Sequence, residues 1–416
     1  MLFVRKPLLL YLLILVGLQA LVCVLSWRQA QAGTVDFRNF YADGYMVRTG
    51  QAQHLYDYAA QVQLQSEIVS PGTTALPLMV PPCVALAFAP LSLLRFIPAY
   101  IVFAVLNVLL LGAALRLLHP YVPAVSDYAP ATPLLFFLGF PFVGFALAQG
   151  QLSVVLLAAY CAAFAALQRG KDVLAGLLLS IGLIKLQIAL PVAALFLIWR
   201  QWRFVLGFIA GAIVFVSSCV ATLRNATFAD VLRSMFSTSS IPSSAEQLRY
   251  GIYPEQMPNL YGLFYRLLGA GRWSIVATVL ASVILFAWAA RRPRSLPFAI
   301  TIALLVSYHL YAHDLLLLLL PFSILLNDYL AAASTQAAPN DIVARGQQPG
   351  RESVLLKWAF GSYVVLAPLA IFLIGWKWTC IFTIPTLLAA FALAGEGHHR
   401  RLTFINTTSR TAITHP

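Results

Sequence analysis

Charge is scarce in this chain. Only 10% of its 416 residues are Asp, Glu, Lys or Arg, while 61% are apolar; in soluble domains about a quarter of residues are charged. That balance excludes an ordinary soluble fold, which could not hide so much apolar surface. Long polar stretches are also missing: between the hydrophobic runs none exceeds about 50 residues, too short for most independent domains. Cysteine is sparse and unpatterned. Cys23, Cys83, Cys161, Cys219 and Cys380 all sit in apolar segments, with no spacing that indicates a disulfide framework or a zinc site. No internal repeat is visible. The net charge of +13 does not imply nucleic acid, because Lys and Arg fall in short clusters between apolar runs rather than along one face. They read as topology signals and headgroup contacts.

What is present is an all-α polytopic membrane protein, a single membrane domain over residues 1–416. Apolar segments at 7–27, 97–118, 131–148, 150–168, 172–184, 186–199, 203–223, 274–290, 296–310, 312–330, 354–374 and 377–394 give twelve spans. The N-terminus also mimics a secretory signal, with Arg5-Lys6 before an apolar run and Ala30-Gln31-Ala32 after it, but the run is long enough to span uncleaved. Basic turns at 169–171, 199–203, 291–294 and 398–401 all fall on the cytoplasmic side if the stretch from Leu76 to Leu94 does not cross. Its prolines, Pro77, Pro81, Pro82 and Pro90, break it into interfacial or re-entrant pieces. The expected outer features are then a first loop, 28–96, and a second, 224–273, which carries Arg224, Arg233, Arg249, Arg266 and Arg272. Residues 331–353 read as a cytoplasmic linker and 395–416 as a cytoplasmic tail. The segments 172–184 and 186–199 each make only about 20 Å of helix, so their junction, Lys185, should lie below the outer surface.

Few residues could carry chemistry. Asp36 follows the first span closely enough for its carboxylate to act as a base on a lipid-linked substrate; equally, it could cap a helix whose Phe37, Phe40 and Tyr41 pack on lipid. Asp43 reads as a surface acid or a second site carboxylate. Lys185 is the single lysine in a long apolar stretch, where an ammonium calls for an anionic partner such as a phosphate or else snorkels to headgroups. His309 and His313, four residues apart beside Asp314, could bind phosphate, exchange a proton or play a structural role. Two histidines alone do not make a metal site. The amides of Gln149-Gly150-Gln151 suit sugar hydroxyls or a polar turn. Sequons at Asn225 and Asn406 are short enough to arise by chance.

Taken in order, Asp36-Phe37 with Tyr41, Gly50, Tyr56-Asp57, Pro81-Pro82, Pro90-Leu91, Gly150-Gln151, Ala175-Gly176 through Lys185 to Arg203, and His313-Asp314 resemble glycosyltransferase family 87, a family of C-type membrane glycosyltransferases. The resemblance runs from about residue 36 to 330. It implies the C-type fold with interfacial helices in the first outer loop. It also implies transfer of a sugar, usually mannose, from a polyprenyl-phosphate carrier to a glycolipid or glycan acceptor at the outer face of the inner (plasma) membrane. Asp36 matches the family's catalytic acid and would act as general base. Lys185, His309 and His313 are the candidates for the donor phosphate, and Asp43, Gln149 and Gln151 for the acceptor or sugar. A monophosphate leaving group needs no metal or other cofactor. The competing expectations are a lipid or solute transporter, which would place ionisable groups near midplane and show repeats, and a non-catalytic subunit of a polysaccharide assembly complex.

Overall fold

The computed structural model describes residues 2–71, 75–76, 78–223, 253–292, 294–336 and 351–395. Arg224, Arg233, Arg249, both sequons, most of the expected linker and nearly all of the tail therefore lie outside the described residues. Among those described, every regular element is a helix and no strand occurs.

The chain opens with α1 (Leu2–Gln31), long and apolar enough to cross a bilayer. Three short helices follow, α2 (Phe37–Arg48), α3 (Tyr58–Ile68) and α4 (Pro82–Phe88). The last is far too short to span, as its prolines require. Next come α5 (Phe96–Leu118), α6 (Pro123–Tyr128), α7 (Thr132–Gly139) and α8 (Val143–Gln149). The predicted span at 131–148 is therefore broken. It bends by 56° between α7 and α8, where Pro141 cannot donate to the helix ladder and Phe142 takes a left-handed conformation, φ 71°.

Beyond it lie α9 (Ser153–Gln168), α10 (Asp172–Leu179), α11 (Leu186–Ile198) and α12 (Trp202–Leu223). The C-terminal part contains α13 (Leu260–Leu268), α14 (Arg272–Ala290), α15 (Leu296–Val306), α16 (Leu319–Gln336), α17 (Arg351–Leu366), α18 (Ala370–Gly375) and α19 (Thr383–Leu393). Among the described residues six helical runs are long and apolar enough to cross, or up to seven if the bent α7–α8 pair counts as one; one of the six, 172–198, meets the test by length and composition only, because it is folded back. The expected count of twelve is not established: α9, α15, the Val354–Leu366 part of α17 and Thr379–Leu393 are apolar but only 10–17 residues long.

The run 172–198 is folded back on itself. Phe204 touches both halves: its ring stacks on Phe196 with centroids 3.9 Å apart, and its carbonyl lies so close to Gly176 that a side chain there would overlap it. On a straight helix Gly176 and Phe196 would be about 30 Å apart. The turn is the 3-10 segment Ser180–Lys185, and Lys185 itself leaves helical geometry at φ −127°, ψ 81°. Lys185 thus sits at the tip of a short helical hairpin, and Gly182 beneath it is packed against the Tyr160 hydroxyl.

The contacts sort the turns into two ends of the bundle. At one end Asn327 accepts from the backbone of Ala124 at 2.9 Å, Tyr121 donates to the Ala165 carbonyl and Trp199 donates to that of Ala290. The other end gathers residues 36, 149–151, 185, 253–256, 309–314 and 374–379. In the middle, α15 is apolar all round and buried almost throughout, the mark of a central helix. Outer helices instead present Leu, Ile and Val to the surroundings, with Leu109, Leu206 and Ile284 more than 60% exposed; lipid is the environment in which such surface is stable.

Candidate active site

Asp36 occupies the N-cap position of α2 but does not cap it. Its backbone is helical, φ −63°, ψ −25°, and its carboxylate makes no bond to the following amides. The reading of Asp36 as a helix cap is therefore set aside. The companion reading, in which Phe37, Phe40 and Tyr41 pack on lipid, is also corrected: all three are buried in protein, and the Phe37 ring is ringed by Phe88, Phe96, Tyr100 and Phe103 at centroid distances of 5.5–6.1 Å. This aromatic cluster anchors α2 on α4 and α5 and so fixes where Asp36 stands.

The carboxylate is held from the α8–α9 turn. Gln151 Nε2 donates to Asp36 Oδ2 at 2.5 Å, while Gln149 Oε1 accepts from the Asp36 backbone N–H at 3.2 Å. Gly150 between them has φ +65°, and a Cβ there would collide with Phe37, so the turn requires glycine. Both glutamines are thus engaged with Asp36. Burial pushes the Asp36 carboxyl above the ordinary carboxylate range, and the Gln151 hydrogen bond and the charges of Arg38 and Lys185 pull it partly back.

Facing into the same cavity is the tip of the α10–α11 hairpin. The Lys185 ammonium is bonded to Asp314 Oδ1 and lies 3.1 Å from His313 Nε2. An ammonium can only donate, so Nε2 must be the acceptor, and the proton of neutral His313 is then on Nδ1. Asp314 is fully buried. It also accepts from Ser153 Oγ at 2.9 Å and from the Tyr311 backbone N–H at 3.2 Å, so its oxygens are well satisfied. Lys185 does not snorkel to the headgroups: its counter-ion is Asp314. Burial lowers the His309 imidazole to about 4, with the charge of Asp314 opposing and that of Lys185 assisting. His309 is therefore neutral at pH 7 and can act as a hydrogen-bonding group rather than a cation.

These groups share one cavity of about 340 Å³. Its charged and polar side chains include Asp36, Asn39, Gln151, Lys185, Gln187, His309 and His313, joined by Tyr253, Gln256, Tyr308, Tyr311 and Thr379. Met79, Val80, Pro81, Ile184 and Leu186 make an apolar wall. The sequence-predicted Asp36, Lys185, His309, His313 and Gln151 are all brought together here. Gln149 stands behind Asp36.

Asp43 is not brought to the cavity. It is wholly buried two helical turns further along α2, where Gln61 Nε2 donates to its Oδ1 at 2.6 Å, and burial holds its carboxyl well above the ordinary range. Among the described residues no three His, Cys, Asp or Glu side chains converge as metal ligands.

Sequence reasoning did not assign Asp314 or Ser153 to the Lys185 pair, nor Tyr253, Gln256 and Thr379 to the lining. For Asp314 a signal existed, since it is the one acid between residues 296 and 327 and a buried ammonium demands an anion. Tyr253 and Gln256 are fastened to the C-terminal turn by Lys377 lying over the Tyr253 ring at 4.6 Å and by Thr379 donating to the Gln256 carbonyl.

Fold and cavity together define an integral membrane protein whose polar chemistry is concentrated in one pocket at the end of a helical bundle. The family model of glycosyltransferase family 87 matches residues 80–335, more than half of the chain, and the chain belongs to that family: it is a membrane glycosyltransferase. The matched stretch includes Lys185, His309 and His313 but begins after Asp36 and ends before Thr379. No curated protein and no solved structure matches the chain.

Proposed function

We propose that this glycosyltransferase moves a sugar, mannose by family resemblance, from a polyprenyl-phosphate carrier to a hydroxyl of a glycolipid or glycan acceptor. The reaction would take place at the outer, periplasmic face of the inner membrane. The observation that carries the reading is the arrangement of Asp36: a carboxylate on the cavity wall, unused as a helix cap, oriented by Gln151 and within electrostatic reach of Lys185.

In the proposed reaction the acceptor oxygen attacks the anomeric carbon and its proton passes to an Asp36 carboxylate oxygen. The bond from that carbon to the phosphate oxygen breaks on the opposite face, so the anomeric centre inverts. Its electron pair leaves with polyprenyl phosphate. Raised above the ordinary carboxylate range, an ionised Asp36 is a stronger base than an exposed aspartate. Negative charge grows on the departing phosphate, and donors aimed at it stabilise the transition state. Lys185 has one N–H left after bonding Asp314 and His313, and His309 and His313 each offer an imidazole N–H. Placement of the donor phosphate against these groups puts the lipid chain along the apolar wall of Met79, Val80, Pro81 and Leu186.

Asp36→Asn tests the assignment. The amide keeps the size and the acceptor oxygen for Gln151 but takes no proton, so transfer from labelled polyprenyl-phosphate mannose should fall on the order of a hundred- to ten-thousand-fold while expression and polyprenyl-phosphate binding persist. Near-normal turnover in that variant would remove Asp36 from the chemistry.

A further inference from the structure

Cys83 and Cys219 are 136 residues apart, and no rule of spacing pairs them. The fold does. Cys83 is the second residue of α4, and Cys219 lies about one turn from the end of α12, fully buried. Their side chains pack against each other. Leu186, Phe215, Val220 and Leu223 enclose the pair.

Its position gives the contact a consequence. Val80 and Pro81, three and two residues before Cys83, line the cavity, and so does Leu186, which packs directly on Cys219. The two thiols therefore sit behind the apolar wall, joining the segment that carries Met79, Val80 and Pro81 to the body of the bundle. The remaining cysteines have other surroundings. Cys23 donates to the Gly144 carbonyl at 3.5 Å, Cys161 is sealed within α9 and Cys380 is buried beside the C-terminal turn.

We infer that Cys83 and Cys219 form a site for a disulfide. The step is thiol–disulfide exchange with a small disulfide donor, R–S–S–R. Cys83, the half-buried member, attacks first as its thiolate and gives a mixed disulfide with release of one R–SH. Cys219 then displaces the second R–SH and closes the Cys83–Cys219 bond. The pair loses two electrons and two protons, which the two released thiols carry. A closed bridge fixes α4 on α12, and with it the spacing between the Val80–Pro81 wall and Leu186. The inference does not depend on which sugar or lipid the cavity takes.

The test uses purified full-length protein in lipid nanodiscs, incubated with oxidised dithiodipyridine, alkylated, digested and analysed by mass spectrometry without reduction. A Cys83–Cys219 linked peptide, two hydrogens lighter than the sum of its parts, is expected in most molecules. It should vanish in Cys83→Ser and persist in Cys161→Ser. Because the wild-type protein carries the main readout, a poorly folding variant does not obscure the result. Recovery of Cys83 and Cys219 as separately blocked thiols, or of Cys83 bridged to a different cysteine, would overturn the inference.

Discussion

The buried Lys185–Asp314 pair can be separated into structural and chemical roles by removing its members one at a time and then together. Lys185→Met leaves the Asp314 carboxylate fully buried, with only the Ser153 hydroxyl and the Tyr311 N–H as donors. Breaking such a pair from one side costs about 3–5 kcal/mol. The two surviving hydrogen bonds exist in the wild type already, so they do not offset the loss, although they keep the carboxylate partly solvated and place the expected cost near the lower end, about 3 kcal/mol. Asp314→Asn leaves an ammonium whose side chain is 11% exposed, with His313 as its remaining acceptor, and should cost a similar amount.

The double variant removes both charges, while the Asn amide oxygen can still accept from the Tyr311 backbone N–H and its NH2 can donate to the Ser153 hydroxyl. Replacing a buried pair by neutral groups is commonly close to neutral, so the double variant should recover most of the stability; with each single variant costing about 3 kcal/mol, the coupling between the sites should then be about 5–6 kcal/mol. The assay is a thermal melt followed by tryptophan fluorescence in one detergent–lipid mixture, paired with transfer kinetics on the same samples. Transfer should stay low in the double variant, because the ammonium proposed to meet the phosphate is absent. Wild-type melting in both single variants would refute the buried-pair argument. Restored transfer in the stable double variant would remove Lys185 from the chemistry.

The remaining expectations can be checked with the same preparation. As the proposed base, Asp36 would act as a carboxylate, and burial raises its ionisation above the ordinary range, so kcat/KM should fall as pH drops through that raised value; Gln151→Leu, which removes a contact that lowers it, should move the acidic limb to higher pH. A limb unmoved in Gln151→Leu would argue that another group titrates. Burial raises the Asp43 carboxyl well above the ordinary range, its side chain lies outside the cavity, and an amide preserves the bond from Gln61, so Asp43→Asn should leave transfer within about twofold of wild type; a large loss would restore Asp43 to the site. For orientation, an impermeant maleimide should label Gln53→Cys in intact cells and Gln347→Cys only after permeabilisation, and the reverse pattern would turn the proposed topology over.

The sequence was most legible where a property sums over many residues. A run of about 20 apolar residues needs no partner to be recognised, and helices formed close to the bounds expected at 97–118, 203–223 and 274–290, as Phe96–Leu118, Trp202–Leu223 and Arg272–Ala290. The folded-back hairpin was legible for a related reason: 172–184 and 186–199 read as two separate spans, each short for a full crossing, with Lys185 at their junction. The break at Phe140-Pro141-Phe142 was less so, because hydropathy averages over a bend that depends on backbone geometry. Asp36 and Asp43, seven residues apart, fall on one helical face, which is why both looked available. They are about 10 Å apart along the axis, and α3 covers only the second, bringing Gln61 onto it.

Polar partnerships were the least legible part, and the reason is energetic rather than a matter of weak pattern. An amide donates as readily to a carboxylate as to a sugar hydroxyl, so nothing in Gln149-Gly150-Gln151 could say that the turn would be engaged by Asp36, more than a hundred residues earlier. For Lys185 the cost of an uncompensated buried ammonium did say that an anion must be near, and a phosphate was one answer. The proposed lipid-linked phosphate would be present only for part of each catalytic cycle, however, whereas the ammonium is buried in the folded chain. A permanent counter-ion was therefore required in addition to any substrate, and the neighbouring apolar segment from 296 to 327 contains one acid to provide it, Asp314. The same reasoning defines what Lys185 can do for a ligand: with its charge already paired and two of its three N–H groups engaged, it offers a phosphate one directed hydrogen bond rather than a free cation.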